Sequence, residues 1–204
     1  MNCSELPHIE TKQYTLVIPY DAKNTHVLLG LKKRGFGVGK HYYVYLIFKS
    51  VLTLIRWNGF GGKVMENESI NACAARELKE ECGIEDAVLE KMAILLLKWE
   101  RSTCVTEIHV YKATQFLDKP IESEEMIPQW FSVDPSAHNS IPYDHMWEEA
   151  RIWYPEFHRG RKFVFNVLFK GDIDISDNTP LIIHYHLTPV ENIHDYTYTN
   201  HLFE

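Results

Sequence analysis

The feature that most restricts this chain is a short segment in which acidic and apolar residues share one side, Ile70-Asn-Ala-Cys-Ala-Ala-Arg-Glu-Leu-Lys-Glu-Glu81, with Ser69 before it and Gly83 shortly after. A serine hydroxyl can accept a hydrogen bond from the unpaired first-turn N–H groups, and a glycine can adopt the left-handed conformation that ends a helix. The spacing therefore predicts a helix over Ile70–Glu81. At 3.6 residues per turn, Ile70, Ala74, Glu77 and Glu81 fall on one stripe, with Glu80 at its edge. Ile70, Ala74 and Leu78 mark the inward side, so Glu77 and Glu81 point toward the face that must pack. Acidic residues on a helix ordinarily form a solvated face, which is the wrong geometry here. Like charges four residues apart also destabilise an isolated helix by roughly 0.2–0.5 kcal/mol, and carboxylates this close shift one another's titration. A bound hard cation removes the conflict, because oxygen-rich carboxylate clusters suit magnesium, or manganese in its place.

The rest of the chain reads as strands. They are expected at Gln13–Pro19, His26–Leu31, Val88–Trp99, Thr106–Phe116, Gln129–Val133, Lys162–Lys170 and Leu181–Leu187. A second helix is expected over Trp147–Phe157, with Pro155 late in it or ending it. Two glycine-rich loops, Lys32–Gly39 and Arg56–Gly62, interrupt the pattern. Strands in runs with two helices to cover them indicate a layered α/β or α+β domain. A length of 204 residues suits one domain, placed here at 13–190 with terminal extensions 1–12 and 191–204.

The formal charge of −7 argues against a partner that is a nucleic-acid polymer, which calls for a basic stripe. An acidic protein that handles phosphates must bring positive charge in locally, by a metal or by a few placed Lys and Arg. Cys3, Cys73, Cys82 and Cys104 form no C-x-x-C pair and no zinc spacing, and a reducing compartment is expected. His184 and His186 read as alternating strand positions rather than as metal ligands. The N-terminal stretch MNCSELPHIETKQ carries no apolar or Arg-rich targeting pattern, and a cytoplasmic chain, with a nuclear or mitochondrial share allowed, is expected. Lys40–Ile55 is a nearly continuous apolar run, too short for the ~20 residues of a membrane span, so no membrane partner is expected.

The motif Gly62-x5-Glu68-x7-Arg76-Glu77-Leu78-x-Glu80-Glu81-x-Gly83-Ile84 resembles the Nudix box at every defined position. On that resemblance the chain is identified as a member of the Nudix hydrolases. The resemblance implies an α/β/α sandwich with a mixed sheet, and metal-assisted attack of water on a phosphorus of a nucleotide-like substrate. It puts Glu77, Glu80 and Glu81 at metal-ligand positions. Arg76 takes the position that orients the carboxylates, and Arg76, Glu80 and Glu81 form the catalytic set. Gly62 and Glu68 hold the loop against the helix.

Outside the box, Lys32–Gly39, Arg56–Val64, Glu122–Trp130 and Met146–Pro155 are similar to the animal MutT-type branch that hydrolyses oxidised purine nucleoside triphosphates. That branch converts 8-oxo-dGTP and 2-hydroxy-dATP to monophosphate plus pyrophosphate, and so cleans the nucleotide pool. The similarity implies a nucleoside triphosphate substrate and nucleotide-pocket positions at Thr15, Lys32, Phe36, Asn58 and Trp147. It also implies additional metal-site positions at Gly61 and Glu125. A monomer is expected.

Two departures stand out. Where that branch carries two base-reading aspartates, this chain has Glu149 and Ala150, so one carboxylate is lengthened and the other is absent. A site built to pair with a ligand's polar groups discriminates strongly, so a lost partner matters to base preference. Deleting Lys40–Ile55 joins GFGVG to RWNGFGGK and restores the branch's spacing, so these residues are expected not to be native to the fold. Codons compatible with intron-like boundaries at Gly39-Lys40 and Arg56 point to a retained short intron, with a family loop insertion as the alternative.

Overall fold

The computed structural model describes residues 10–33, 56–172, 181–194 and 196. Among the described residues there are seven longer strands and an eighth of two residues. Strands β1 (Glu10–Pro19), β5 (Cys104–Thr114), β4 (Val88–Trp99), β7 (Phe163–Phe169) and β8 (Ile182–Pro189) form one sheet in that order. It is mixed: β1 runs parallel to β5 and β4 parallel to β7, while β4–β5 and β7–β8 are antiparallel. A second, antiparallel sheet has the order β3 (Trp57–Asn58), β2 (His26–Lys32), β6 (Met126–Ser132).

Side chains alternate across a strand, so neighbours in β1 serve opposite faces. Val17 packs with Phe60, Tyr111 and Ala113 against Ala74, Leu78 and Cys82 of helix α1 (Ile70–Cys82). Leu16 and Ile18 pack with Leu95, Val110 and Phe165 against Trp153, Tyr154 and Phe157 of helix α2 (Ala150–His158). The two helices therefore cover opposite faces of the main sheet, which is the expected α/β/α sandwich. Helix α1 reaches only part of its face. The remainder, Ile94, Leu96, Val105 and Val164, is covered by Ile193, which is fully buried and lies beyond the last strand.

The caps of α1 fall where the sequence puts them. Ser69 Oγ accepts from the Ala72 N–H at 3.1 Å, and Gly83 adopts φ 77° with its N–H donating to the Lys79 carbonyl. The strand over Val88–Trp99 keeps its expected bounds, and the others shift at their ends. β5 ends two residues early because Gln115 turns left-handed at φ 57°. β6 begins three residues early and tolerates Pro128 because it is an edge strand, where a missing N–H costs no ladder bond. Helix α2 begins at Ala150 rather than Trp147 and runs through Pro155, held by the burial of Trp153, Tyr154 and Phe157. β3 and the 3-10 turn Tyr143–His145 were not expected.

The outer edge of β1 is not open. Residues Phe60–Val64 run antiparallel beside it through Val17 N–H to Phe60 O (2.6 Å), Thr15 N–H to Gly62 O (2.9 Å) and Val64 N–H to Gln13 O (3.0 Å). This strip ties the start of the Nudix-like motif to the sheet and fixes where α1 begins.

Phe36 and Lys40–Ile55 lie outside the described residues, which stop at Lys33 and resume at Arg56. Leu31 pairs with Trp57 and Gly30 with Asn58, and the Lys32 N–H donates to the Arg56 carbonyl at 3.3 Å. The two ends are thus adjacent partners of a hairpin. Closure entropy rises only slowly with loop length, so the scaffold can fold with a long or a short connection. A variant lacking Lys40–Ile55 is expected to keep the fold, to be more soluble and to turn over faster than the full chain. Size-exclusion profiles and turnover rates of the two proteins measure this. An inactive deletion beside an active full chain would make the segment a functional loop instead.

Candidate active site

Helix α1 carries its acidic residues at three depths. Glu81 is buried, with its side chain 4% exposed, Glu77 is half-buried, and the Glu80 side chain is 58% exposed. The helical stripe read from the sequence has this consequence: Glu81 lies one turn beyond Glu77 and next to the buried Leu78 and Cys82. Its carboxylate is received by the strip beside β1. The Gly61 N–H donates to Glu81 Oε2 at 2.7 Å, and Lys32 Nζ stands 3.9 Å from Oε1.

Two glycines make that approach feasible. A Cβ on Gly61 would lie 2.0 Å from the Thr15 carbonyl oxygen, and one on Gly62 would lie 2.3 Å from Glu77 Oε1. Backbone cannot move aside as a side-chain tip can, so Gly61 is the stricter requirement. Any larger residue there would force the strip off β1 and take the N–H away from Glu81.

Arg76 gathers the remaining acids. Its Nε and Nη2 donate to Glu68 at 2.7 and 3.0 Å, and Nη1 donates to Glu77 at 2.8 Å and to Glu80 at 3.0 Å. The paired hydrogen bonds from Arg76 hold the Glu68 carboxyl down at about 2. Glu68 Oε2 also accepts from the Met65 N–H, so it clamps the loop before the helix.

Glu81 behaves in the opposite way. Burial pushes its carboxyl up to about 7, against the pull of Lys32 and the Gly61 N–H, and the charges of Glu77 and Glu125 push in the same direction as burial. The charges of Glu77 and Glu125 are thus felt at the buried Glu81, and all three side chains offer oxygen alone. Glu125 belongs to the turn whose carbonyl accepts from the Lys33 N–H at 2.7 Å. This donor chemistry fits a hard divalent cation. In the arrangement seen, Arg76 holds Glu77 and Glu80, Lys32 faces Glu81, and no three acidic, His or Cys side chains among the described residues stand at mutual ligand distance.

The pocket candidates occupy a second region. Trp147 and Glu149 lie immediately before α2, and Asn58 lies on β3, where its Oδ1 accepts from the Gly59 N–H. Arg56, two residues before Asn58, lies over the Trp147 ring at 4.5 Å, so the two segments border the same space. Glu149 is 6% exposed, makes no cap bond to α2, and leaves Oε2 with no hydrogen-bond partner. Burial raises its carboxyl to about 7. Ala150, next to it, packs in the apolar cluster under α2. Thr15 is placed differently from the other candidates: its hydroxyl sits 3.4 Å from Cys73 Sγ beneath α1. Sequence patterning gave no signal for Arg56, which stands outside the motif, or for Cys73, whose burial follows only from helix phase.

A NUDIX domain match covers residues 15–157. The chain belongs to the Nudix family. This Nudix chain is 37% identical over 145 residues to an oxidized purine nucleoside triphosphate hydrolase of Danio rerio, covering 71% of this chain and 80% of that protein. It is 36% identical over 160 residues to the protein of the same name in Mus musculus, covering 78% and 88%. Among solved structures, a mutator MutT protein from Bacillus halodurans superposes with a TM-score of 0.61 at 20% identity, covering 86% of this chain and 97% of that one. A NUDIX hydrolase from Nitrosomonas europaea superposes with a TM-score of 0.53 at 18% identity, covering 79% and 80%. These structures share the fold of the chain.

The raised Glu81 carboxyl has a stability consequence with a definite sign. Its folded value lies above the ordinary 4.5, so between those limits the folded state holds a proton that the unfolded state has lost. Stability is lost as pH rises from about 4.5 to about 7. In metal-free protein, Glu81→Gln, which keeps an oxygen for the Gly61 N–H, is expected to unfold several degrees higher than the unsubstituted chain at pH 8. At pH 5 the two should nearly coincide. Thermal melts in chelator at both pH values read the difference, and an equal gap at both would contradict the burial account.

Proposed function

We propose that this Nudix hydrolase cleaves oxidised purine nucleoside triphosphates to the monophosphate and pyrophosphate, removing damaged precursors from the nucleotide pool. The observation that carries the reading is the acidic face of α1, where the buried Glu81 carboxylate accepts from the Gly61 N–H at 2.7 Å with Lys32 3.9 Å away, and Arg76 gathers Glu77 and Glu80 beside it. The names of the two animal relatives favour this substrate class. In this reading Glu77, Glu80, Glu81 and Glu125, with the Gly61 backbone, would hold magnesium, or manganese in its place. When bound, the ion neutralises the polyphosphate oxygens and lowers the pKa of water.

The chain's own residues do the rest. Arg76 keeps Glu77 and Glu80 oriented by donating to both carboxylates from Nη1. Lys32, whose Nζ stands 3.9 Å from Glu81, would bind a phosphate oxygen of the substrate. Glu80, the most exposed of the set, and Glu81 act on the attacking water and accept its proton. The water oxygen bonds to phosphorus as the phosphoanhydride P–O bond breaks, and pyrophosphate leaves. At the other end of the substrate, Trp147 stacks on the purine, while Asn58 and Glu149 read its edge; the family resemblance assigns Phe36 and Thr15 to substrate binding as well. Cytoplasmic action, with a nuclear or mitochondrial share, and a monomeric state belong to the same proposal.

Magnesium-dependent release of pyrophosphate from 8-oxo-dGTP, 2-hydroxy-dATP and their normal counterparts is the direct test. Glu80→Gln and Glu81→Gln are each expected to lower turnover at least a hundredfold with folding intact, since an amide is a weak ligand and no base. Turnover within tenfold of the unsubstituted chain in both variants would remove the assignment.

Glu149 and Ala150 predict a weaker preference for oxidised over normal purines than two aspartates would give. Combined Glu149→Asp and Ala150→Asp is expected to raise the ratio of kcat/KM for 8-oxo-dGTP over dGTP. It should also lower the melting temperature, because Ala150 is 3% exposed within an apolar cluster. An unchanged ratio in a folded double variant would show that these positions do not set base preference.

A further inference from the structure

Arg56 takes no part in the hydrolytic cluster, yet it joins three separate pieces of the pocket wall. Its guanidinium carbon lies 4.5 Å from the centroid of the Trp147 ring, and its Nη1 donates to the Met146 carbonyl at 2.8 Å. Its own carbonyl accepts from the Lys32 N–H at 3.3 Å. Burial works against its charge, and the carboxylates of Glu149 and Glu148 sustain it. The planar fork of arginine can stack on a ring and donate in its own plane at once, which a lysine ammonium cannot do. Glu149 ends its side chain in an unpartnered buried oxygen, and a carboxylate in that state needs a fixed positive charge nearby to remain available to a ligand.

We propose that Arg56 is a positioning residue of the base pocket, bracing the Trp147 ring and balancing Glu149, so that it sets purine affinity while leaving the phosphate chemistry alone. The inference rests on the reading of Trp147 and Glu149 as the base-binding wall. It assigns a base-recognition role to a residue on the far side of the Lys40–Ile55 segment from Lys32. It also couples that segment's flank to base recognition rather than to hydrolysis.

The test uses the full chain with Arg56→Gln and Arg56→Lys, and 8-oxo-dGMP as a probe that binds without turnover. Calorimetric titration is expected to show at least tenfold weaker binding in Arg56→Gln and an intermediate loss in Arg56→Lys, which keeps the charge but not the stack. With 8-oxo-dGTP, KM should rise in parallel while kcat stays within threefold, and the affinity for inorganic pyrophosphate should not change. Should Arg56→Gln fail to fold, Arg56→Lys decides: a threefold or greater loss of 8-oxo-dGMP affinity supports the proposal, and unchanged affinity overturns it. A fall in kcat as large as the rise in KM, or equal losses for pyrophosphate and 8-oxo-dGMP, would overturn it too. If the unsubstituted chain binds no 8-oxo-dGMP, the base-pocket reading and this inference fall together. If it binds and the variants match it, only the inference falls.

Discussion

The contact on which the site depends is the hydrogen bond from the Gly61 N–H to the buried Glu81 carboxylate. It exists because the strip Phe60–Val64 lies flat along the edge of β1, close enough that no Cβ fits at Gly61. The strip also seals an edge strand that would otherwise present unpaired backbone groups. One close approach therefore closes the sheet, sets the entry of α1 and brings a carboxylate into a buried position. Burial raises the Glu81 carboxyl there against the pull of Lys32 and the Gly61 N–H, while Arg76 holds the neighbouring Glu77 and Glu80. In the proposed function, an acidic chain would handle anionic phosphate through a divalent ion held at this acidic helix face.

Much of this was legible in the sequence because it follows local rules. The caps of α1 and its inward Glu77 and Glu81 come from helix period and from two residue types at its ends. The long apolar strand at Val88–Trp99 needed only its composition. What stayed hidden depends on distant partners. β3 is two residues long and is defined by its pairing with Gly30 and Leu31. Pro128 and Pro155 are harmless only because of an edge position and a set of buried aromatics. Ile193 reads as part of a polar tail, yet it fills the portion of the sheet face that α1 leaves uncovered.

The pocket was legible only in part. Trp147 and Asn58 border a common space through Arg56, but no spacing rule links residues from the two ends of the chain's folded core. Thr15 has surroundings that no motif could supply. The position matches, while its hydroxyl is engaged with Cys73 under α1. The exchange to Glu149 and Ala150 acquires a physical meaning from the structure. One position keeps a buried acid with an unpartnered oxygen, and the other has joined the apolar core.

The central claim is that Glu81 is a buried acid held ready for a cation, and proton release on magnesium binding tests it most directly. Metal binding requires deprotonated ligands, so titrating magnesium into the chain near pH 6.5 should release protons from a carboxyl that titrates at about 7. Calorimetry in two buffers of different ionisation heat counts those protons. The account predicts a release that shrinks toward zero by pH 8.5 and is absent in Glu81→Gln. Magnesium binding at pH 6.5 with no proton released, or with the same release in Glu81→Gln, would contradict it.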